Sequence, residues 1–341
     1  MSSADLPLLL FSINDRSENS GVAKHKKQHY IPSSYLKAWC DPSVPKHQTP
    51  YVWRFDLDGS NPTRKAPENI FHETDIYTIT SAEGGRDLVL EQGLCGLEGQ
   101  FVRIRKRKLD RQEILDESDH FLLCAFIAAM QSRTPARREF IKEQWEGPLH
   151  LMEEMAERLE KSTPEERARM VSAHLVGSSS SDDTITFDQV KQICTNPLQA
   201  TMRAHIQVLT PLLKKLDIAT FMAPTSSMFI TSDHPCVWVD PAAHKRPPLY
   251  RTPGLAYPTI EITLPISPTQ IIWLNRAGIT GYLPANSTMV NEFNRRTRFC
   301  ADQYFVVNRS EIKREWFDPG IKPDDSWEKT HPRIPQENSD R

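Results

Sequence analysis

An α+β fold, with a central helical bundle flanked by short N-terminal strands and a C-terminal, mostly antiparallel strand-rich region, is predicted by three features of the 341-residue sequence. Tyr51-Val52-Trp53-Arg54-Phe55 alternates as a half-buried strand does, and Asp58-Gly59 follows it as a hairpin-type turn. Between about residues 87 and 216 the apolar residues recur at helical spacing. After 217, short β-like runs return, broken by Asp, Pro and Gly.

The chain is expected to form a single α+β domain over 23–317, between a disordered arm at 1–22 and a disordered tail at 318–341, both polar or charged. Within it, 23–86 reads as an irregular strand region, 87–216 as helical and 217–317 as strand-rich. In the first region Thr63–Ala66 is the expected return strand, and Ile76–Ile79 a further strand.

The helical region opens with Leu90, Leu94, Leu97, Phe101 and Ile104, which draw one apolar stripe. Residues 117–133 are apolar nearly all round, so this helix is expected at the centre. Thr134-Pro135 stops it and starts the next, with Thr as N-cap and Pro at the first helical position. Thr163-Pro164-Glu165-Glu166 repeats the signal as a capping box, Gly177–Asp183 reads as a loop, and helices are expected over 187–194 and 197–216. In the last region the expected strands are Met228–Thr231, Cys236–Val239, Thr259–Leu264, Gln270–Asn275 and Tyr304–Val307, with an amphipathic helix over Pro284–Ala301.

Composition excludes several classes. The net charge is −2, from 42 basic and 44 acidic residues, so nucleic acid or a membrane surface would have to be met by a local patch. Six cysteines lie far apart with no CxxC pair, which argues against a zinc ribbon and for reduced thiols in a cytoplasmic protein. Leu6–Phe11 is apolar but lacks a preceding basic residue, so no signal peptide is expected, and no apolar run reaches the ~18–20 residues of a membrane span. Walker, GxGxxG, GxSxG and HExxH motifs are absent.

The candidate site residues are scattered. Glu91 and Glu98 lie seven apart on one helix, so they point the same way but are separated by about 10.5 Å of rise. They form either a solvated flank or a carboxylate row facing an interior site. Arg133, on the buried face of the central helix, needs an anion: a structural carboxylate from Glu91, Glu98 or Asp233, or the phosphate or carboxylate of a substrate. Asp233, at the end of an apolar strand and before His234-Pro235, suits a catalytic or metal-binding carboxylate and equally an Asx-turn. His25 and His29 have a chelating spacing only on a helix, which Pro32 and the polar leader oppose; His29 alone is the general acid or base candidate. Arg103, Arg105, Lys106, Arg107 and Lys108 end the first long helix, where they complement its dipole or contact nucleic acid, with Arg103, Arg107 and Lys108 as the candidates for that contact.

Several of these motifs together resemble a known family. His29-Tyr30-Ile31-Pro32 with Tyr35-Leu36, Asn69…Asp75-Ile76-Tyr77, the Glu91…Glu98 helix and Gln131-Ser132-Arg133-Thr134-Pro135 are similar to the family called domain of unknown function 4238. So are Ser232-Asp233-His234-Pro235, Glu261–Pro268 and Asn294…Ala301-Asp302, and the likeness spans about 29–308. The family usually has Asn where this chain has His234. The resemblance implies no activity or cofactor, but it implies that His29, Glu98, Arg133 and Asp233 form one spatial cluster.

Two functions follow, the first preferred because a His, two carboxylates and an Arg are a costly set to bury for structure alone. One is a hydrolase or nuclease acting on a phosphorylated small molecule or nucleic acid: Asp233 and Glu98 would hold Mg²⁺, Mn²⁺ or a water, His29 would be the acid or base, and Arg133 would hold the anion. The other is a non-catalytic module that binds nucleic acid or protein and whose polar cluster is structural. Oligomeric state is not legible.

Overall fold

The computed structural model describes residues 27–80, 85–167, 169 and 184–319. The expected arm at 1–22, His25, the Gly177–Asp183 loop and all but the first two residues of the expected tail lie outside the described residues.

The chain enters through β1 (Lys27–His29) and the short helix α1 (Ser33–Leu36). β2 (Val52–Asp56) and β3 (Thr63–Lys65) form the expected hairpin, one residue later in β2 and one shorter in β3. Its Gly59 adopts φ +84°, and a Cβ there would lie 2.7 Å from the Phe317 ring, so the turn and the close approach both call for glycine. β4 (His72–Thr74) pairs antiparallel with β1, and β5 (Ile79–Thr80) with β6 (Arg86–Asp87). The strand expected at Ile76–Ile79 is therefore corrected to Ile79–Thr80. Asp75 takes φ +56° and its carbonyl accepts the Thr78 N–H at 3.1 Å, so 75–78 is a turn.

The helices match their periodicity. α2 (Val89–Arg107) buries the Leu90–Ile104 stripe. α3 (Glu117–Ser132) buries Leu123 through Met130 without a break, as an all-apolar helix must. Thr134 caps α4 (Pro135–Lys161) by accepting the Arg137 N–H at 3.2 Å. At Thr163 both arms of the capping box form. α5 (Phe187–Thr195) lies against α4, and α6 (Pro197–Leu213) lies against α3. No helix among the described residues is long and apolar enough to cross a membrane.

The C-terminal region holds β7 (Asp217–Met222), β8 (Thr231–Ser232), β9 (Val237–Val239), β10 (Glu261–Ser267), β11 (Gln270–Asn275), β12 (Gly281–Pro284), α7 (Ser287–Phe299) and β13 (Tyr304–Val307). A five-stranded sheet runs β12-β7-β11-β10-β9, antiparallel except for the β12–β7 pair. A four-stranded sheet runs β3-β2-β13-β8, so the first and last regions share it. The strand expected at Met228–Thr231 is corrected to Thr231–Ser232. Its earlier backbone groups are taken elsewhere: Asn294 bonds Met228 O at 2.7 Å and Ile230 N at 2.9 Å, and Trp39 donates to Phe229 O at 3.0 Å. β7 and β12 were not expected. The helix expected from Pro284 begins at Ser287, with Asn286 as its cap.

The Tyr35–Trp39 segment joins helices to sheets. Tyr35 is fully buried beside Trp39, Phe101 and Phe126, and its hydroxyl donates to Pro265 O at 2.6 Å. Phe101 and Phe126 stack with centroids 3.9 Å apart, which ties α2 to α3. Phe126→Ala is expected to destabilise the protein by about 3–5 kcal/mol, from lost burial and the cavity left behind, in urea unfolding. A loss under about 1 kcal/mol would place the centre of the core elsewhere.

Candidate functional site

Arg133 follows the last residue of α3, and only 2% of it is exposed. Its guanidinium donates to Glu98 Oε1 of α2 at 2.8 Å, to the His29 carbonyl of β1 at 2.5 Å and, from Nε, to Tyr77 Oη at 3.4 Å. Tyr77 Oη in turn donates to Arg133 O at 2.8 Å. Gln28 completes the network: its Oε1 accepts the Tyr77 N–H at 2.7 Å and its Nε2 donates to Thr78 Oγ1 at 3.0 Å. Burial works against the charge on Arg133, but Tyr77 and Glu98 outweigh it and hold its pKa above the ordinary value. Burial pushes Tyr77 up to about 12, against the pull of Arg133, so it stays a neutral phenol. Cys95 lies between Glu91 and Glu98 on α2, and burial followed by those two carboxylates pushes its thiol up to about 11.

His29 reaches this network through its backbone. Its imidazole meets His72 edge-on, centroids 5.4 Å apart, and hydrogen-bonds neither Glu98 nor Asp233. Burial and then His72 lower its pKa, so the ring is neutral near pH 7.

Asp233 belongs to a second network. Its Oδ1 accepts the Asp302 N–H at 2.8 Å, and its Oδ2 accepts those of Gln303 at 2.8 Å and Tyr304 at 2.9 Å. The carboxylate thus pins the start of β13 beside β8. Burial raises its pKa to about 6 against the pull of the three N–H groups. Asp233 makes no hydrogen bond to His29, Glu98 or Arg133; the link is Tyr30, next to His29, whose phenol feels the Asp233 charge. The structure therefore joins three of the four predicted residues and sets Asp233 apart. Among the described residues no group of three or more His, Cys, Asp or Glu side chains is placed to hold a metal ion.

The basic helix end also divides. Arg103, Lys106 and Arg107 are exposed. Arg105 is buried, with its guanidinium 5.8 Å from the Phe101 ring centre and 3.5 Å from the Ile266 carbonyl. Lys108 lies 3.8 Å from a Glu113 oxygen.

A cavity of about 450 Å³ opens beside the Asp233 network, between the α3–α4 corner, the 234–238 segment and the end of α7. Gln131, Arg137, Phe140, His234, Trp238 and Asp302 line it. His234 Nδ1 meets Asp302 Oδ1 at 3.4 Å. Arg137 is not among the residues predicted for the site, and His234 enters there only as a departure from a family pattern. A half-buried Arg one turn into a Thr-capped helix was the available signal.

These features define an α+β protein with two buried polar networks and one adjoining cavity. The chain belongs to the family described as Protein of unknown function (DUF4238), whose model matches residues 27–311. No curated protein and no solved structure matches it.

The Arg133 network makes an asymmetric expectation. Glu98→Ala strands a buried guanidinium without the carboxylate it faces and is expected to destabilise by about 3–5 kcal/mol. Arg133→Met leaves Glu98, whose side chain is 18% exposed and can reach water, and is expected to destabilise less. Chemical denaturation of both variants checks the order; the reverse order would contradict the geometry.

Proposed function

We propose that this protein is a non-catalytic binding module in which His29, Glu98, Arg133 and Asp233 serve the structure, and recognition falls to the cavity beside them. One observation carries the reading: Asp233 and Arg133 are already engaged by the chain itself. Both oxygens of Asp233 receive main-chain N–H groups, and the Arg133 guanidinium is divided among Glu98, Tyr77 and the His29 carbonyl. A catalytic carboxylate must be free to reach a substrate proton, water or metal within hydrogen-bond distance. Asp233 gives three of its roughly four acceptor positions to main-chain N–H groups, one on Oδ1 and two on Oδ2.

The hydrolase or nuclease reading has Asp233 and Glu98 hold one Mg²⁺ or Mn²⁺ ion or one water between them, yet the two carboxylates belong to separate networks. It also needs His29 as acid or base, whereas the His29 imidazole packs on His72. For Arg103, Arg107 and Lys108, a solvated helix end that complements the α2 dipole accounts for their placement without nucleic acid.

The test is turnover of a nucleic-acid, nucleotide and phosphomonoester panel with Mg²⁺ or Mn²⁺, by wild type and Asp233→Ala. The expected result is equal, background-level turnover, with Asp233→Ala less stable by about 1–3 kcal/mol. Turnover by the wild type that Asp233→Ala abolishes, at matched folded fraction, would overturn the proposal.

A further inference from the structure

The α3–α4 corner carries three arginines in six residues, and they are not equivalent. Arg133 is matched by Glu98. Arg138 is matched by Glu73 at 2.5 Å and Glu139 at 2.9 Å. Arg137 has no carboxylate among the described residues. Its Nη2 lies 3.4 Å from His205 Nδ1, its guanidinium stands 5.0 Å from the Phe140 ring centre, and its Nε is buried with no hydrogen-bond partner. Burial is what lowers its pKa, with no acid pulling the other way, yet a guanidinium remains charged at neutral pH. Burial and then Arg137 lower the pKa of His205, so the ring beside Arg137 is a neutral acceptor and not a counter-charge.

A partly desolvated cation without an anion is costly, and such a group is retained where an anion arrives from outside. Arg137 lines the open cleft of about 450 Å³. The rest of the lining suits a ring. Phe140 and Trp238 supply aromatic surface, and Gln131 adds a polar side chain. Cys236 and Cys300 add uncharged surface, because burial holds Cys236 at about 12 and raises Cys300 as well. The one carboxylate in the lining, Asp302, is met by His234. The cavity therefore combines a cation without a carboxylate partner among the described residues, two aromatic side chains and a His–Asp pair.

We infer that this cavity binds a small organic anion, with its carboxylate or phosphate on the Arg137 guanidinium and a ring-sized apolar body against Phe140 and Trp238. The inference rests on the binding-module reading in taking the cavity as a site of recognition and not of turnover. Arg133 cannot serve the same ligand, since its three partners are already in the chain.

The test uses the full chain and three probes of one shape: 2-naphthoate, 2-naphthyl phosphate and the neutral 2-naphthamide, titrated by ligand-observed NMR. Wild type is expected to bind at least one of the two anions about tenfold or more tighter than the amide, as a charge-assisted contact should allow. The preferred anion tells carboxylate from phosphate recognition. Arg137→Met is expected to bring the anions to the level of the amide, and Arg137→Lys to keep part of the preference, with amide binding still detectable in both as the control for an intact cavity. Equal binding of all three probes by wild type, no binding of any at millimolar concentration, or an anion preference that survives Arg137→Met would each overturn the inference. Phosphate release from 2-naphthyl phosphate, followed in the same samples, keeps the two readings apart. Release lost in Asp233→Ala would sink the binding-module reading while an Arg137-dependent anion preference still stood.

Discussion

The structure depends on one buried cation. Arg133 lies where α3 ends, and its guanidinium joins α2 through Glu98, β1 through the His29 carbonyl and the 75–78 turn through Tyr77. These segments are distant in sequence, and none is long enough to be held by its own hydrogen bonds except α2. A buried charge tolerates few geometries, so each partner must occupy its place for the others to be satisfied. The same corner then starts α4 at Thr134-Pro135, which turns Arg137 and Arg138 to other surroundings within one helical turn.

Asp233 plays the matching part for the strands. Without its carboxylate the N–H groups of Asp302, Gln303 and Tyr304 would have no acceptor at the point where β13 leaves α7. Its neighbours on either side, His234 and Asp302, face the cavity. A residue that looks catalytic by type and position thus holds the main chain beside the cavity. The division of labour between the two networks and the cavity follows from which polar groups the chain has already satisfied.

Much of this was legible in the sequence, and the exceptions have physical causes. The stripe from Leu90 to Ile104 and the all-apolar run at 121–130 gave α2 and α3, because long periodic segments carry their burial pattern openly. β1 and β4 escaped notice because three residues cannot display a period, and their pairing is fixed by tertiary contacts instead. β7 was missed although it is flanked by strands on both sides; it follows α6 closely, and Ile218 to Phe221 do not alternate in polarity. At the site, the need of Arg133 for an anion was readable, and the structure selects Glu98 from the candidates. The role of the His29 carbonyl was not readable, since backbone acceptors leave no mark in residue identity. The cavity was hidden for a similar reason: its walls come from 131–140, 234–238 and 300–302, which only the fold brings together.

The central claim is that the Arg133 network is a structural tie. Native-state hydrogen exchange in Arg133→Met tests it most directly, by comparing the Tyr30 and Tyr77 amides, bonded to Phe71 O and Gln28 Oε1, with the Ile272 and Leu274 amides in the β10–β11 ladder. The account predicts that protection at Tyr30 and Tyr77 falls well below the global value while Ile272 and Leu274 still report global unfolding. Unchanged protection at Tyr30 and Tyr77 relative to Ile272 and Leu274 would contradict it.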